Sequence, residues 1–162
     1  MDQIPEFWRT EIYHPLSVHF PIALLLMALL FKALFYNRRN LVWAKSGTIL
    51  LGIGVLGAWI AVYTGSLADG IVSRKICDPT LLKDHENLAY VTAWCFSLAL
   101  AMDLLAYPRS LITFRRPLKI LTLAVLITGS VALVLTGHSG ASVVYQQGGG
   151  VYTPSEDCSE FE

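Results

Sequence analysis

Long apolar stretches, separated by short polar connections, make up most of this chain. Four of them, residues 14–36, 46–67, 86–107 and 117–138, are long enough to cross a bilayer, which takes about 20 mostly apolar residues. Short connections place consecutive helices side by side and antiparallel. The pattern therefore predicts an all-α membrane protein, a four-helix up-down transmembrane bundle.

The segments on either side of the spans have a different character. Residues 1–13 mix the aromatic side chains of Phe7, Trp8 and Tyr13 with charges, which predicts a segment at the membrane interface. Acidic residues stand where a signal peptide would be basic, so the first helix is expected to be retained. The transmembrane domain is assigned to residues 14–147. Residues 148–162 form a glycine-rich, acidic tail that is predicted to be periplasmic.

The charges of the connections predict the orientation. The first and third connections are basic and carry no acidic residue: Arg38, Arg39 and Lys45 lie in one, and Arg109, Arg115, Arg116 and Lys119 in the other. By the positive-inside rule both face the cytoplasm. We therefore expect a multi-pass protein of a bacterial inner membrane with both termini in the periplasm, that is, N-out and C-out.

The composition agrees with a membrane protein, and the sequence gives no support for a nucleic-acid-binding protein or a hydrolytic enzyme. Of 162 residues, 54% are hydrophobic and 15% are charged, and the formal net charge is +0. Soluble domains average about 25% charged residues. The balanced charge gives no reason to expect a nucleic-acid partner. The sequence shows no Ser-His-Asp arrangement or paired carboxylates, so an electron carrier or a subunit is favoured over a stand-alone enzyme.

A faint internal repeat links the two halves of the chain. The second span ends in Val-Tyr-Thr64-Gly65 and the fourth in Val-Leu-Thr136-Gly137, while the first and third spans begin with histidine. A helix hairpin used twice, about an axis along the membrane normal, produces this pattern.

All 4 histidines lie at the predicted outer ends of helices. His14 and His19 open the first span, His85 opens the third and His138 closes the fourth. If the third helix starts near Pro79 and the fourth continues past His138, then His19, His85 and His138 share one depth, with His14 less than two turns above. Ionisable side chains at membrane depth are candidate functional residues by default.

Haem b is the cofactor that this layer favours, because it needs two axial imidazoles from different helices. The predicted pair is His19 with either His85 or His138, and His14 is held in reserve. Small residues such as Gly54 and Gly137 would make room for the macrocycle. A zinc, copper or iron site using the same histidines and an acidic residue is an alternative, as are histidines that only bond to carbonyls. The chain has no Cys-x-x-Cys-His motif for a c-type haem.

The predicted topology leads to expectations for three other groups of side chains. Cys77 and Cys158 both lie in outward segments and are expected to form a disulfide in an oxidising compartment. Asp103, late in the third span, is expected to find a basic neighbour near the helix end, where Arg109 follows. Lys32 is expected to extend its ammonium group to the inner interface.

The two ends of the spanning region resemble a family of bacterial membrane proteins catalogued as a domain of unknown function. The opening motif is His14-Pro15-Leu-Ser-Val18-His19-Phe-Pro-Ile22, and the closing motif runs from Gly137-His138-Ser-Gly140-Ala141 to Val144-Tyr145 and Gly148-Gly-Gly150-Val151. Many relatives carry a second glycine where this chain has Ala141.

Members of this family resemble b-type cytochromes of the four-helix kind, and some occur beside Rieske or c-type redox domains. The resemblance therefore implies a haem-binding protein of this kind. Expected partners are therefore a quinol and a periplasmic cytochrome or Rieske-type carrier in a respiratory chain. The alternative is a non-catalytic structural subunit of a larger membrane complex.

Overall fold

The computed structural model describes residues 8–38, 41–106 and 115–152. A short 3-10 turn, Thr10–Ile12, leads into four helices: α1 (Tyr13–Arg38), α2 (Leu41–Val72), α3 (Pro79–Leu105) and α4 (Arg115–Gln147). All four are long and apolar enough to cross a membrane. The predicted all-α four-helix fold is confirmed.

The helices extend beyond the predicted spans, most clearly in α2, α3 and α4. Apolar patterns end where charged residues begin, whereas a helix continues until its backbone is capped. At the start of α3 the Asp78 carboxylate accepts hydrogen bonds from the Thr80 hydroxyl at 2.6 Å and the Thr80 amide at 3.0 Å. These bonds hold the pKa of the Asp78 carboxyl below its usual value. Pro79 occupies the first helical turn, where no amide donor is needed.

The four helices form a closed ring in chain order. The most extensive contacts are between α1 and α2 and between α3 and α4, and smaller contacts between α2 and α3 and between α1 and α4 complete the ring. Along the first hairpin, the glycines of α2 face residues of α1 in antiparallel order: Gly47 against Lys32, Gly54 against Leu25, Gly57 against Pro21 and Gly65 against His14. Close approach at small residues is how membrane helices pack.

Gly54 and Gly52 provide a matched test of this packing. A Cβ atom at Gly54 would lie 2.7 Å from Leu25 Cδ2, whereas one at Gly52 would meet nothing within 4 Å. We expect Gly54→Ala to lower the free energy of unfolding by about 1–3 kcal/mol, since overpacking forces neighbours to shift. Gly52→Ala should be neutral or slightly stabilising because alanine has the higher helix propensity. Unfolding in mixed micelles, followed by circular dichroism, measures both free energies. Equal effects of the two substitutions would contradict the close packing of α2 against α1 at Gly54.

The buried side chains form two clusters along the bundle. The central cluster contains the four largest fully buried side chains, Leu25, Leu51, Phe96 and Leu126, together with several alanines. The end cluster contains Ala68, Val72, Ile76 and Val143. It lies at the end of the bundle where α1 and α3 begin and α2 and α4 end, which we call the histidine end.

The outer surface of the bundle is apolar, as a lipid-facing surface must be. Leu56, Trp94 and Val134 are each more than 60% exposed, and many other large apolar side chains point outward with them. Together with the four spanning helices, this surface makes the chain a multi-pass membrane protein.

The histidine end is closed by segments that precede α1 and follow α4. After α4, a turn through Gly148 and Gly150, both with positive φ, lets the Gly149 amide donate to the Val143 carbonyl at 2.9 Å. Arg9 donates to the Gly150 carbonyl at 3.4 Å, so the two segments are tied together. Cys158 lies outside the described residues, and its disulfide with Cys77 stays a prediction.

Candidate functional site

Two imidazoles face each other inside the bundle near the histidine end. The ring centres of His14, on α1, and His85, on α3, are 5.9 Å apart, and their planes make an angle of 75°. These helices are diagonal in the ring of four, so the rings meet across its centre. They lie between the central cluster and the end cluster, which separate them from both ends of the bundle.

Each imidazole is oriented by a backbone carbonyl of its hairpin partner. His14 Nδ1 lies 2.9 Å from the Ala61 carbonyl oxygen, and His85 Nδ1 lies 3.0 Å from that of Thr136. A carbonyl oxygen only accepts, so Nδ1 carries the proton in both rings. In the neutral imidazole the lone pair is then on Nε2. Metal-ligating histidines are held in this way, with the non-ligating ring N–H donated to an acceptor.

The carbonyl belongs to a local motif that occurs once in each hairpin. Three residues after the carbonyl, a hydroxyl donates back to it, from Thr64 to Ala61 at 3.0 Å and from Ser139 to Thr136 at 2.9 Å. The next residue is a glycine pressed against the imidazole. A Cβ atom would lie 3.1 Å from His14 Cε1 at Gly65, and 2.9 Å from His85 Cε1 at Gly140.

Each imidazole, with its carbonyl, hydroxyl and glycine, forms one half-site. The two half-sites show an internal repeat, but its alignment differs from the predicted one. In the structure, Thr64-Gly65 corresponds to Ser139-Gly140, three residues beyond Thr136-Gly137. The signal in the sequence is a hydroxyl residue followed directly by glycine, which occurs at both positions of α4. Only contact with an imidazole distinguishes them, because a Cβ at Gly137 would meet nothing within 4 Å.

The other two histidines lie outside this pair. His19 is exposed, and its Nδ1 is 2.6 Å from the Pro15 carbonyl oxygen of its own helix. His138 is also exposed. The structure therefore pairs His85 with His14, where the sequence indicated a layer of His19, His85 and His138. Gly54, the other glycine expected beside the cofactor, packs instead against Leu25.

The two conditions on helix length that placed His85 and His138 inside helices are confirmed. The third helix starts at Pro79, and the fourth continues to Gln147. His85 thus lies six residues into α3, about 9 Å along its axis at 1.5 Å per residue.

A metal site built from protein ligands alone is not assembled in the described ranges. Within residues 8–38, 41–106 and 115–152, no group of three or more His, Cys, Asp or Glu side chains could hold a metal ion. Zinc sites use three or four protein ligands. Asp69, Asp84 and Glu86, the acidic residues near enough in sequence to contribute to such a site, therefore do not complete a group of this kind. The donor set at the centre of the bundle is two imidazoles.

A buried ion pair lies at the opposite end of the bundle. Lys32 Nζ donates to Asp103 Oδ2 at 2.6 Å, to Thr48 Oγ1 at 2.7 Å and to the Ala44 carbonyl at 3.2 Å. Both charged residues are less than 10% exposed. Asp103 thus has a basic neighbour, but it comes from α1, and Lys32 turns inward where the sequence predicted that it would extend to the interface. Arg109 lies outside the described residues.

Fold and site together define a class: a four-helix membrane protein with two inward-facing histidines on diagonal helices. The chain belongs to the DUF2231 family, described as predicted membrane proteins, whose family model matches residues 12–153. No curated protein and no solved structure matches the chain.

Proposed function

We propose that this protein is a membrane electron carrier that holds one haem b between His14 and His85. The observation that carries the proposal is the matched pair of imidazoles, each donating Nδ1–H to a carbonyl and keeping the Nε2 lone pair for a ligand bond. Haem b is held by axial side chains of this kind from facing helices.

The spacing of the two rings suits axial ligation of one metal. The ring centres are 5.9 Å apart, so the two imidazoles are close enough that both would contribute to holding one metal. A macrocycle between the rings needs room beside α2 and α4. Gly65 and Gly140 let the imidazoles pack directly against α2 and α4. The donor set of two imidazoles therefore fits the group, and the macrocycle would need these helices to move apart.

Each part of the half-site has a distinct role in this proposal. His14 and His85 would bind the iron through Nε2. The carbonyls of Ala61 and Thr136 fix the tautomer and orient the rings, and such outer contacts raise the basicity of a ligand. The end cluster keeps water from the site, and solvent exclusion is one of the factors that set a haem potential. The bound haem would supply one-electron redox chemistry.

The partners proposed for the carrier follow from the depth of the site. The imidazoles lie about 9 Å from the start of α3, within reach of a redox protein docked at the histidine end. With the orientation favoured by the basic connections, that end faces the periplasm of a bacterial inner membrane, and the carrier would be a periplasmic cytochrome or Rieske-type protein. A quinol in the surrounding lipid would be the electron donor.

A bare metal ion is the second candidate, because the two imidazoles are already close enough to share one ion. Two imidazoles suit copper better than zinc, which normally has at least three protein ligands. The remaining alternative is a structural subunit in which the histidines make only the hydrogen bonds described above.

Spectra and elemental analysis of the purified protein separate these functions. In detergent, we expect one haem per chain, with a b-type α-band in the reduced-minus-oxidised spectrum. Protein produced without haem should bind added hemin with saturation at one equivalent. One copper or zinc per chain without haem would replace the haem proposal with the bare ion. Absence of both, with no hemin binding, would leave the structural subunit.

A further inference from the structure

A groove of about 320 Å³ opens toward the lipid where α1 meets α4. Its walls are almost entirely apolar, and Leu26 and Val134 are 41% and 65% exposed. These two helices are in less extensive contact than α2 and α3. Haem ligation by His14 and His85 makes no use of the groove. Its lining includes Leu26, Leu29, Ile127, Ser130, Val134 and Leu135.

The internal repeat allows this groove to be compared with the other half of the bundle. Each hairpin has two glycines that press against side chains of its other helix, and both contacts match between the hairpins. A position in α1 corresponds to the position 71 residues later in α3, and a position in α2 to the one 75 residues later in α4. The matched contacts are Gly54 with Leu25 and Gly129 with Phe96, and Gly65 with His14 and Gly140 with His85.

An aromatic side chain fills the equivalent space between α2 and α3. The Trp59 indole donates to the Ser97 hydroxyl at 3.0 Å, and its ring centre is 6.4 Å from that of Tyr90. In the alignment Val134 corresponds to Trp59. Leu26 likewise corresponds to Ser97. The groove between α1 and α4 therefore lies where the other half of the bundle holds a planar ring system.

Polar side chains of α4 lie on both sides of Val134 along the groove. Ser130, one turn before it, is 9% exposed, and its hydroxyl has no hydrogen-bond partner among the described residues. A serine side chain can turn between staggered rotamers to meet an acceptor. His138 lies one turn after Val134 on the same face. Its side chain leans back toward Val134, because Cα–Cβ bonds tilt toward the N-terminus of a helix.

A second imidazole reaches the same end of the groove from α1. His19 corresponds to Tyr90, the ring that contacts Trp59 in the other half. Its Nδ1 is 2.6 Å from the Pro15 carbonyl oxygen, so Nδ1 carries the proton and Nε2 keeps a lone pair. A ring lying over Val134 would therefore have imidazoles at one edge and a hydroxyl donor at the opposite edge.

We propose that this groove binds the ring of a quinol or quinone over Val134, with its isoprenoid tail in the surrounding lipid. His19 and His138 accept from a quinol hydroxyl at one edge of the ring. Ser130 donates to the oxygen at the opposite edge. Mostly apolar walls with a few placed polar groups are typical of small-molecule sites, and a groove that opens to lipid suits a ligand that arrives through the bilayer.

The groove lies close to the imidazole pair, as an electron donor requires. Leu135, in its wall, directly precedes Thr136, whose carbonyl orients His85. Val134 is thus about 3 Å from Thr136 along the α4 axis, at 1.5 Å per residue. The choice of a quinol as the ring compound rests on the proposed electron-carrier function, whereas the groove and its polar edges do not depend on haem.

Native mass spectrometry of the full chain in detergent, titrated with decylubiquinone, tests the proposal. We expect saturation at one equivalent, and weaker binding of decylbenzene, which has the same alkyl chain on a ring without oxygens. Val134→Trp should abolish saturable binding, because the indole would fill the groove as Trp59 fills its counterpart. The matched control, Val91→Trp, adds the same ring to the exposed surface of α3, outside the groove, and should bind normally. Ser130→Ala and His138→Ala should each weaken binding about fivefold, the loss typical of one hydrogen bond.

Failure of this proposal can be distinguished from failure of the haem proposal. Decylubiquinone binding by protein without haem would support the groove, even if the chain is not a haem carrier. Haem-containing protein that binds no decylubiquinone would overturn the groove and leave the carrier intact. Equal binding of decylbenzene, or normal binding in Val134→Trp, would also overturn it. So would loss of a dimer in Val134→Trp without quinone binding, since the groove would then be a protein contact. If Val134→Trp does not fold, normal affinity in both Ser130→Ala and His138→Ala overturns the proposal.

Discussion

Replacing either His14 or His85 with alanine is expected to abolish the b-type spectrum, whereas His19→Ala and His138→Ala should retain it. The reason is geometric: the first two rings meet at 5.9 Å inside the bundle, while His19 and His138 are exposed. Bis-imidazole ligation gives low-spin iron, so loss of one ligand should leave high-spin iron or no haem. Reduced-minus-oxidised absorbance, with haem content per chain from pyridine haemochrome, measures the effect.

The same four variants provide their own controls. All remove one imidazole from the histidine end, so a general loss of fold would show as equal losses of helical circular dichroism. Imidazole added to His14→Ala or His85→Ala should restore part of the signal, since the cavity left by the side chain can admit the free ligand. If His19→Ala abolishes the spectrum and His14→Ala does not, the axial pair is the one indicated by the sequence, and the proposed pair is wrong.

The largest loss of stability is expected from Asp103→Ala. The substitution leaves the Lys32 ammonium group buried without its counter-charge, and breaking a buried pair in this way typically costs about 3–5 kcal/mol. Lys32→Met combined with Asp103→Leu should recover most of that loss, because well-packed apolar residues often replace a buried pair at little cost. Unfolding of Lys32→Met, Asp103→Leu and the double variant in mixed micelles, followed by tryptophan fluorescence, gives the free energies for a double-mutant cycle.

A surface pair provides the comparison for this cycle. Lys83 and Glu86 are paired within α3, but Lys83 is largely exposed. Lys83→Gln is therefore expected to leave the unfolding midpoint unchanged, since exposed pairs contribute little. If Asp103→Ala were equally harmless, the Lys32–Asp103 pair would contribute nothing measurable to the fold.

The number and order of the helices could be predicted from the sequence because bilayer thickness sets a minimum length for each apolar run. The start of α3 could not, since a helix extends beyond its apolar segment as far as its cap, which for α3 is Asp78. The predicted paired hairpins follow from short connections, which leave each helix little choice of neighbour.

The histidine pair was harder to predict because it depends on the register between diagonal helices, which have no sequence connection to each other. That register is set by packing, with Gly65 against His14 and Gly140 against His85. The partner of Asp103 was hard to predict for the same reason. A nearby arginine in sequence suggested a local pair, but antiparallel packing brings Lys32 from a distant part of the chain to 2.6 Å.

Each hairpin carries a complete half of the central site: one imidazole, the carbonyl that orients it and the glycine that lets it approach. Two copies of one such hairpin, related by a twofold axis, would create the same pair of imidazoles from a single hairpin sequence. The single chain is therefore equivalent to a fused dimer. The opposite end of the bundle breaks this equivalence. Lys32 lies on one hairpin and Asp103 on the other, a heterologous contact that identical halves would form twice or not at all.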